Sequence, residues 1–159
     1  MKNILKWSGS ALISLLVFVL IRTFTFGEDV TNVKSVPLLD IDETAFAERF
    51  AGGLRIPTVA YTDRSKMNPK AFETFHSYLE KIYPKAHRFL SREIIGDLSL
   101  LYIWEGTNPS LNPVLLMAHM DVVPVTDASV DDWAYGPFKG DVADGYIWGR
   151  GAMDDKASL

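Results

Sequence analysis

From Ala11 to Ile21 every residue is apolar except Ser14, and Lys2 and Lys6 precede the run. Counted from Trp7 to Phe26 the stretch has about twenty residues, near the length that spans a bilayer. A basic start followed by an apolar core reads as an export signal. Arg22 and two phenylalanines stand where a small-x-small cleavage site would lie, so an uncleaved signal anchor is favoured over a cleaved peptide. A buried core helix is the third reading. The positive-inside rule then places Lys2 and Lys6 in the cytoplasm and the rest outside it, membrane-anchored or secreted. Residues 27–39 are mixed and polar and read as a linker.

Helical periodicity begins after the linker. Asp40 or Asp42 can cap a helix with Phe46 and Phe50 on one face, and Gly52-Gly53 is expected to end it. Asn68 caps a second helix, with Pro69 at its first position. Phe72, Phe75, Leu79 and Ile82 form its core face, and Pro84 stops it. Two alternating runs, about 89–95 and 98–104, flank Gly96-Asp97 at hairpin length. Val114 to Ala118 is apolar without alternation, as expected of a strand covered on both faces. Asp144-Gly145 between Val142 and Tyr146 is a second hairpin signal. Helices before and between strands, around a covered central strand, predict an α/β layered domain over 40–159. Ligand sites in such sheets lie at the carboxyl ends of strands.

Composition narrows the chemistry. Of the residues, 48% are hydrophobic and 23% charged, as in a globular protein. The net charge of −4 comes without a basic stripe, so no nucleic-acid partner is expected. There are no cysteines, so any metal must be held by His, Asp and Glu. Residues i and i+2 of extended chain point the same way. His119 can therefore offer one ring nitrogen to a metal while Asp121 accepts the N–H of the other. Asp154 follows the flexible turn Gly149-Arg150-Gly151. His119 and Asp154 are far apart in sequence, so the fold must bring them together. The residues alone leave two readings: a site for zinc or a similar divalent ion, or a strand-end histidine and a turn aspartate.

The wording of the segments adds to this. Leu116-Met117-Ala118-His119-Met120-Asp121-Val122-Val123-Pro124 is similar to the first metal motif of the zinc-dependent metallopeptidases that include carboxypeptidase S, aminoacylase and the glutamate carboxypeptidases. Trp133 with Gly136-Pro137-Phe138 looks like the loop that follows it. Ile147-Trp148-Gly149-Arg150-Gly151-Ala152-Met153-Asp154-Asp155-Lys156 resembles the second motif. The lead-in Arg55-Ile56-Pro57-Thr58-Val59 is also similar, and the match is nearest to the carboxypeptidase S-like branch.

The resemblance implies a three-layer α/β zinc-peptidase domain and two Zn2+ ions, with cobalt or manganese as alternatives. His119 would be a terminal metal ligand, Asp154 a carboxylate bridging the two ions, and Asp121 the group that orients the His119 ring. The implied reaction is hydrolysis of an amide next to a carboxylate, in a peptide or an N-acyl amino acid. The family also uses a Glu-Glu pair, a further acidic ligand and a late histidine downstream of the second motif. The chain is therefore expected to be the N-terminal portion of such an enzyme, with its domain incomplete and little activity alone. The alternative is an inactive truncated relic or a membrane-tethered binding module.

Other polar residues attract structural readings. His76 lies near an apolar stripe, and His87 among basic residues. Arg150 could contact substrate or pair with a surface carboxylate, and the pairing is preferred; Asp155 receives no role.

Overall fold

A computed structural model describes the chain at residues 2–27 and 36–159, with side chains from Trp7 onward in the first stretch. Most of the expected linker and the side chains of Lys2 and Lys6 lie outside the described residues. The chain divides into two compact units, Met1–Asp40 and Ile41–Leu159.

The first unit holds α1 (Lys2–Thr25). Its apolar side chains surround the axis rather than forming one stripe. Thr23 Oγ1 donates to Val19 O at 2.9 Å and Thr25 Oγ1 to Ile21 O at 2.8 Å, which covers these hydroxyls within the last turns. Residues Trp7–Thr25 form a 19-residue stretch of mean hydropathy 1.7, none of it buried. By length and composition it can cross a membrane.

The second unit begins with α2 (Glu43–Leu54). Asp42 is its N-cap, and its carboxylate accepts from Ala45 N at 2.9 Å. Gly52-Gly53 does not end the helix, contrary to expectation. Both glycines lie inside it, because α3 (Pro69–Ile82) crosses close by. A Cβ on Gly52 would overlap the Tyr78 hydroxyl, and one on Gly53 would touch Phe75. The buried residues of α2 are Ala51, Gly53 and Leu54 rather than the Phe46–Phe50 pair, whose rings stack at 6.4 Å on a more open face.

Asn68 is the N-cap of α3, without a side-chain bond, and Pro69 follows at its first position. Phe72 and Phe75 are buried as the periodicity predicts, and His76 joins them. Pro84 ends α3 but opens another helix, α4 (Pro84–Phe89), by taking its first position. The strands β1 (Ser91–Ile95) and β2 (Ser99–Ile103) then pair antiparallel. Gly96 and Asp97 turn the corner at φ 59° and 76°. β3 (Asp141–Ala143) and β4 (Tyr146–Trp148) form the second hairpin. Asp144 and Gly145 both have positive φ, the conformation a two-residue turn of this kind requires.

The α/β character holds, but the described residues form two separate two-stranded sheets rather than a layered one. Val114–Ala118 is not a strand. Its side chains are exposed, Leu116 at 88%. A covered strand needs neighbours on both edges, and here each sheet is a local hairpin that pairs only with itself. The ladder contact that does form lies further on, a single parallel bridge between Val59 and Val122. The core gathers there: Ala51, Leu54, Phe72, Phe75, Thr58 and Val122 are all buried.

Candidate metal centre

The first side of the site is the segment 119–122, held by the extended stretch 58–60. Val122 N donates to Thr58 O at 2.9 Å, and Ala60 N to Val122 O at 3.0 Å. Thr58, fully buried, donates its hydroxyl to Met120 O at 2.5 Å. These bonds fix the backbone on the carboxyl side of His119. The residue therefore sits next to a bridge, although not at the end of the strand expected over Val114–Ala118.

The second side follows β4. Gly149 lies against Leu54, where a Cβ would be crowded. Arg150 N donates to Pro137 O at 2.7 Å. Gly151 adopts φ +87°, and a Cβ there would strike Val122. Only glycine meets both demands, the positive φ and the close approach. The turn after Gly151 displays Asp154, and the Asp154–Asp155 peptide is cis.

The two sides meet. His119 Nε2 lies 2.9 Å from Asp154 Oδ1 across 35 residues of sequence. His119 Nδ1–H donates to the backbone carbonyl of Asp121 at 2.9 Å. The Asp121 carboxylate stands further off, at 3.4 Å from the same nitrogen. The ring N–H that was expected to reach the Asp121 carboxylate goes instead to the Asp121 main-chain carbonyl. Both ring nitrogens face oxygen acceptors. With the Nδ1 proton committed to Asp121, a neutral ring would aim its Nε2 lone pair at a carboxylate oxygen. That arrangement requires a proton or a cation between the two atoms. The pKa of His119 is accordingly raised, first by the Asp121 carbonyl and then by the Asp154 carboxylate.

The donor chemistry suits a borderline divalent ion: one imidazole nitrogen and one carboxylate oxygen, both open to solvent. Among the described residues no third His, Asp or Glu joins them as a metal-holding group. The pair fits as part of a ligand set.

The remaining polar residues have structural partners. His76 Nε2 meets Leu98 O at 3.0 Å. His87 meets Tyr83 O at 3.0 Å and the Tyr102 hydroxyl at 2.8 Å. Among the described residues Arg150 pairs with no carboxylate, contrary to expectation. Its guanidinium lies over the Trp133 ring at 5.1 Å. Sequence reasoning missed Lys156. It is 5% exposed, and its ammonium donates to Gly53 O at 3.0 Å and Ile56 O at 2.8 Å. Burial lowers its pKa to about 8. Its place in the second motif was the only signal, and a lysine near aspartates reads as a surface residue.

Residues 115–159 match the family described as peptidase family M20/M25/M40. The chain is 35% identical over 156 residues to probable carboxypeptidase S-like 2 of Dictyostelium discoideum, covering 93% of this chain and 30% of that protein. It is 42% identical over 121 residues to carboxypeptidase S of Saccharomyces cerevisiae, covering 70% of this chain and 21% of the relative. An N-fatty-acyl-amino acid synthase/hydrolase of Xenopus tropicalis is 34% identical over 152 residues, covering 91% and 29%. The chain thus spans less than a third of the length of these relatives. No solved structure matches it. Both segments that build the His119–Asp154 contact fall inside the matched region, and the similarity to carboxypeptidase S-like proteins runs through most of the chain: it belongs to peptidase family M20/M25/M40.

Proposed function

We propose that the protein works as a metal-dependent amide hydrolase, cleaving a bond next to a carboxylate in a peptide or an N-acyl amino acid. The activity is proposed for the protein as a whole, since the chain covers less than a third of its relatives. The observation that supports it is the approach of His119 Nε2 to Asp154 Oδ1, at 2.9 Å, from two distant segments. In this reading His119 would hold a metal ion as a terminal ligand through Nε2, and Asp154 would supply the carboxylate shared between two such ions. Asp121 orients the ring, through its main-chain carbonyl at 2.9 Å and its carboxylate at 3.4 Å. A bound divalent ion such as zinc supplies a polarised carbonyl and an acidified water. The chain's part is to keep Nε2 deprotonated toward the ion by holding the proton at Nδ1, and to neutralise positive charge with Asp154. The N-terminal helix α1 is read as a membrane anchor that places the catalytic unit outside the cytoplasm.

Zinc titration by calorimetry, beside turnover of an N-acyl amino acid and of a peptide with a free C-terminus, tests the reading. His119→Ala or Asp154→Ala removes zinc binding and most turnover. Near-wild-type turnover in either variant with metal restored overturns the assignment. A second reading is a membrane-tethered binding module without catalysis. Zinc binding without turnover of either substrate class would select it.

A further inference from the structure

Lys156 stands out as a buried charge with no carboxylate beside it among the described residues. Burying an ammonium is costly unless its donors are satisfied. Here two carbonyls satisfy them, Gly53 O in the last turn of α2 and Ile56 O just beyond it. Gly53 O also accepts weakly from Ile56 N at 3.4 Å and Ile56 O from Thr58 N at 2.9 Å, and the helix C-terminus adds the negative end of its dipole. The Phe75 ring covers the ammonium at 4.6 Å. These contacts reach back 103 and 100 residues in sequence, from a position two residues after Asp154. The Lys156 backbone N–H also donates to Gly151 O at 3.1 Å, closing the turn that displays Asp154.

The other side of the site hangs from the same stretch of chain. Residues 58–60 hold 120–122, and Gly151 packs on Val122. Segment 53–60 is therefore the common anchor of both halves. Its first part grips the Asp154 turn through Lys156, and its second part grips the backbone beside His119. The exposed contact between His119 and Asp154 has little packing of its own to fix it.

We infer that Lys156 is a positioning residue: its ammonium, clamped to the Gly53 and Ile56 carbonyls, sets the Asp154 carboxylate against His119 Nε2. The inference rests on the pair being the functional site, and it deepens that reading. Lys156 touches neither His119 nor Asp154 through its side chain, so it acts by holding the turn.

The test uses the metal-free full chain and the His119 ring resonances at fixed pH. In wild-type protein Asp154→Asn shifts these resonances. In Lys156→Met the wild-type shift is lost, and adding Asp154→Asn changes nothing further. The chain has no cysteine. Lys156→Cys, alkylated in denaturant to the aminoethyl thioether and refolded, restores an ammonium of similar reach and restores the coupling. A merely structural lysine would lower the melting temperature while Asp154→Asn still shifted His119, and that result overturns the inference.

Should the Lys156 variants not fold, the reciprocal measurement stands in their place. His119→Ala, an exposed change, is expected to speed acylation of Lys156 by a water-soluble ester severalfold, because loosening one end of a coupled pair loosens the other. An unchanged rate overturns the clamp. Zinc affinity is a separate readout, expected to fall about 10- to 100-fold in Lys156→Met, as for other residues that orient ligands. Absence of zinc binding in the wild type would sink the proposed function and leave the resonance test intact.

Discussion

His119 offers the sharpest predictions at the scale of the residue. Its folded pKa is raised above the ordinary 6.5, so the imidazolium contributes stability. That contribution is fully present below the ordinary histidine value and is lost as pH rises through the raised one. The melting temperature of metal-free protein is therefore expected to fall across that window, and to fall less in Asp154→Asn. Zinc has the opposite dependence, because it needs the Nε2 position free of its proton. Calorimetric zinc affinity is expected to rise with pH through the same window; a pH-independent affinity would separate His119 from the metal. Lys156 has the reverse sign. Its pKa falls to about 8 through burial, so the ammonium persists below about 8, and above it folding favours the neutral amine, which still has N–H donors for both carbonyls. Its contribution to stability therefore rises with pH between about 8 and its ordinary 10.5. Lys156→Met is expected to remove that rise from thermal melts taken across the window.

At the scale of the element, the crossing of α2 and α3 is the most exposed to a single added atom. Gly52 leaves room for the Tyr78 hydroxyl, which donates to Arg49 O at 2.7 Å. On helix propensity alone Gly52→Ala would stabilise by up to about 1 kcal/mol. The crowding points the other way, toward a loss of about 1–3 kcal/mol typical of overpacking. Urea unfolding decides the sign, and a gain would show that the two helices are less closely set. Tyr78→Phe removes the obstacle along with the hydrogen bond, so Gly52→Ala is expected to cost less in that background. The same crossing explains a sequence expectation that failed at this scale. Gly52-Gly53 looked like a stop because glycine weakens helices, yet it serves close approach. Ala51 and Leu54, smaller than the phenylalanines at 46 and 50, are the residues this crossing buries.

Over the whole molecule, the apolar helix α1 carries the prediction that tests the proposed membrane anchor. None of the 19-residue apolar stretch of α1 is buried, and it is expected to keep the protein in the pellet after alkaline carbonate extraction of membranes. Removing residues 1–26 is expected to release it; retention of the shortened protein would place the membrane contact elsewhere. Much of this was legible in the chain itself. Length and hydropathy gave α1, glycine and aspartate chemistry gave the two turns, and proline and asparagine gave the start of α3. These are local matters, decided by a few adjacent residues. The two motifs also mark His119, Asp121 and Asp154 as candidate site residues in the sequence itself. Tertiary structure decided how they meet: that Nδ1 is bonded chiefly to the Asp121 main chain, that Val114–Ala118 stays open, and that a lysine lies buried beneath the site. Each of these depends on which distant backbone stands opposite, and side-chain type does not encode that. A carbonyl is the same acceptor at every position, so only the packing of α2 against the second motif could show that Gly53 and Ile56 hold Lys156.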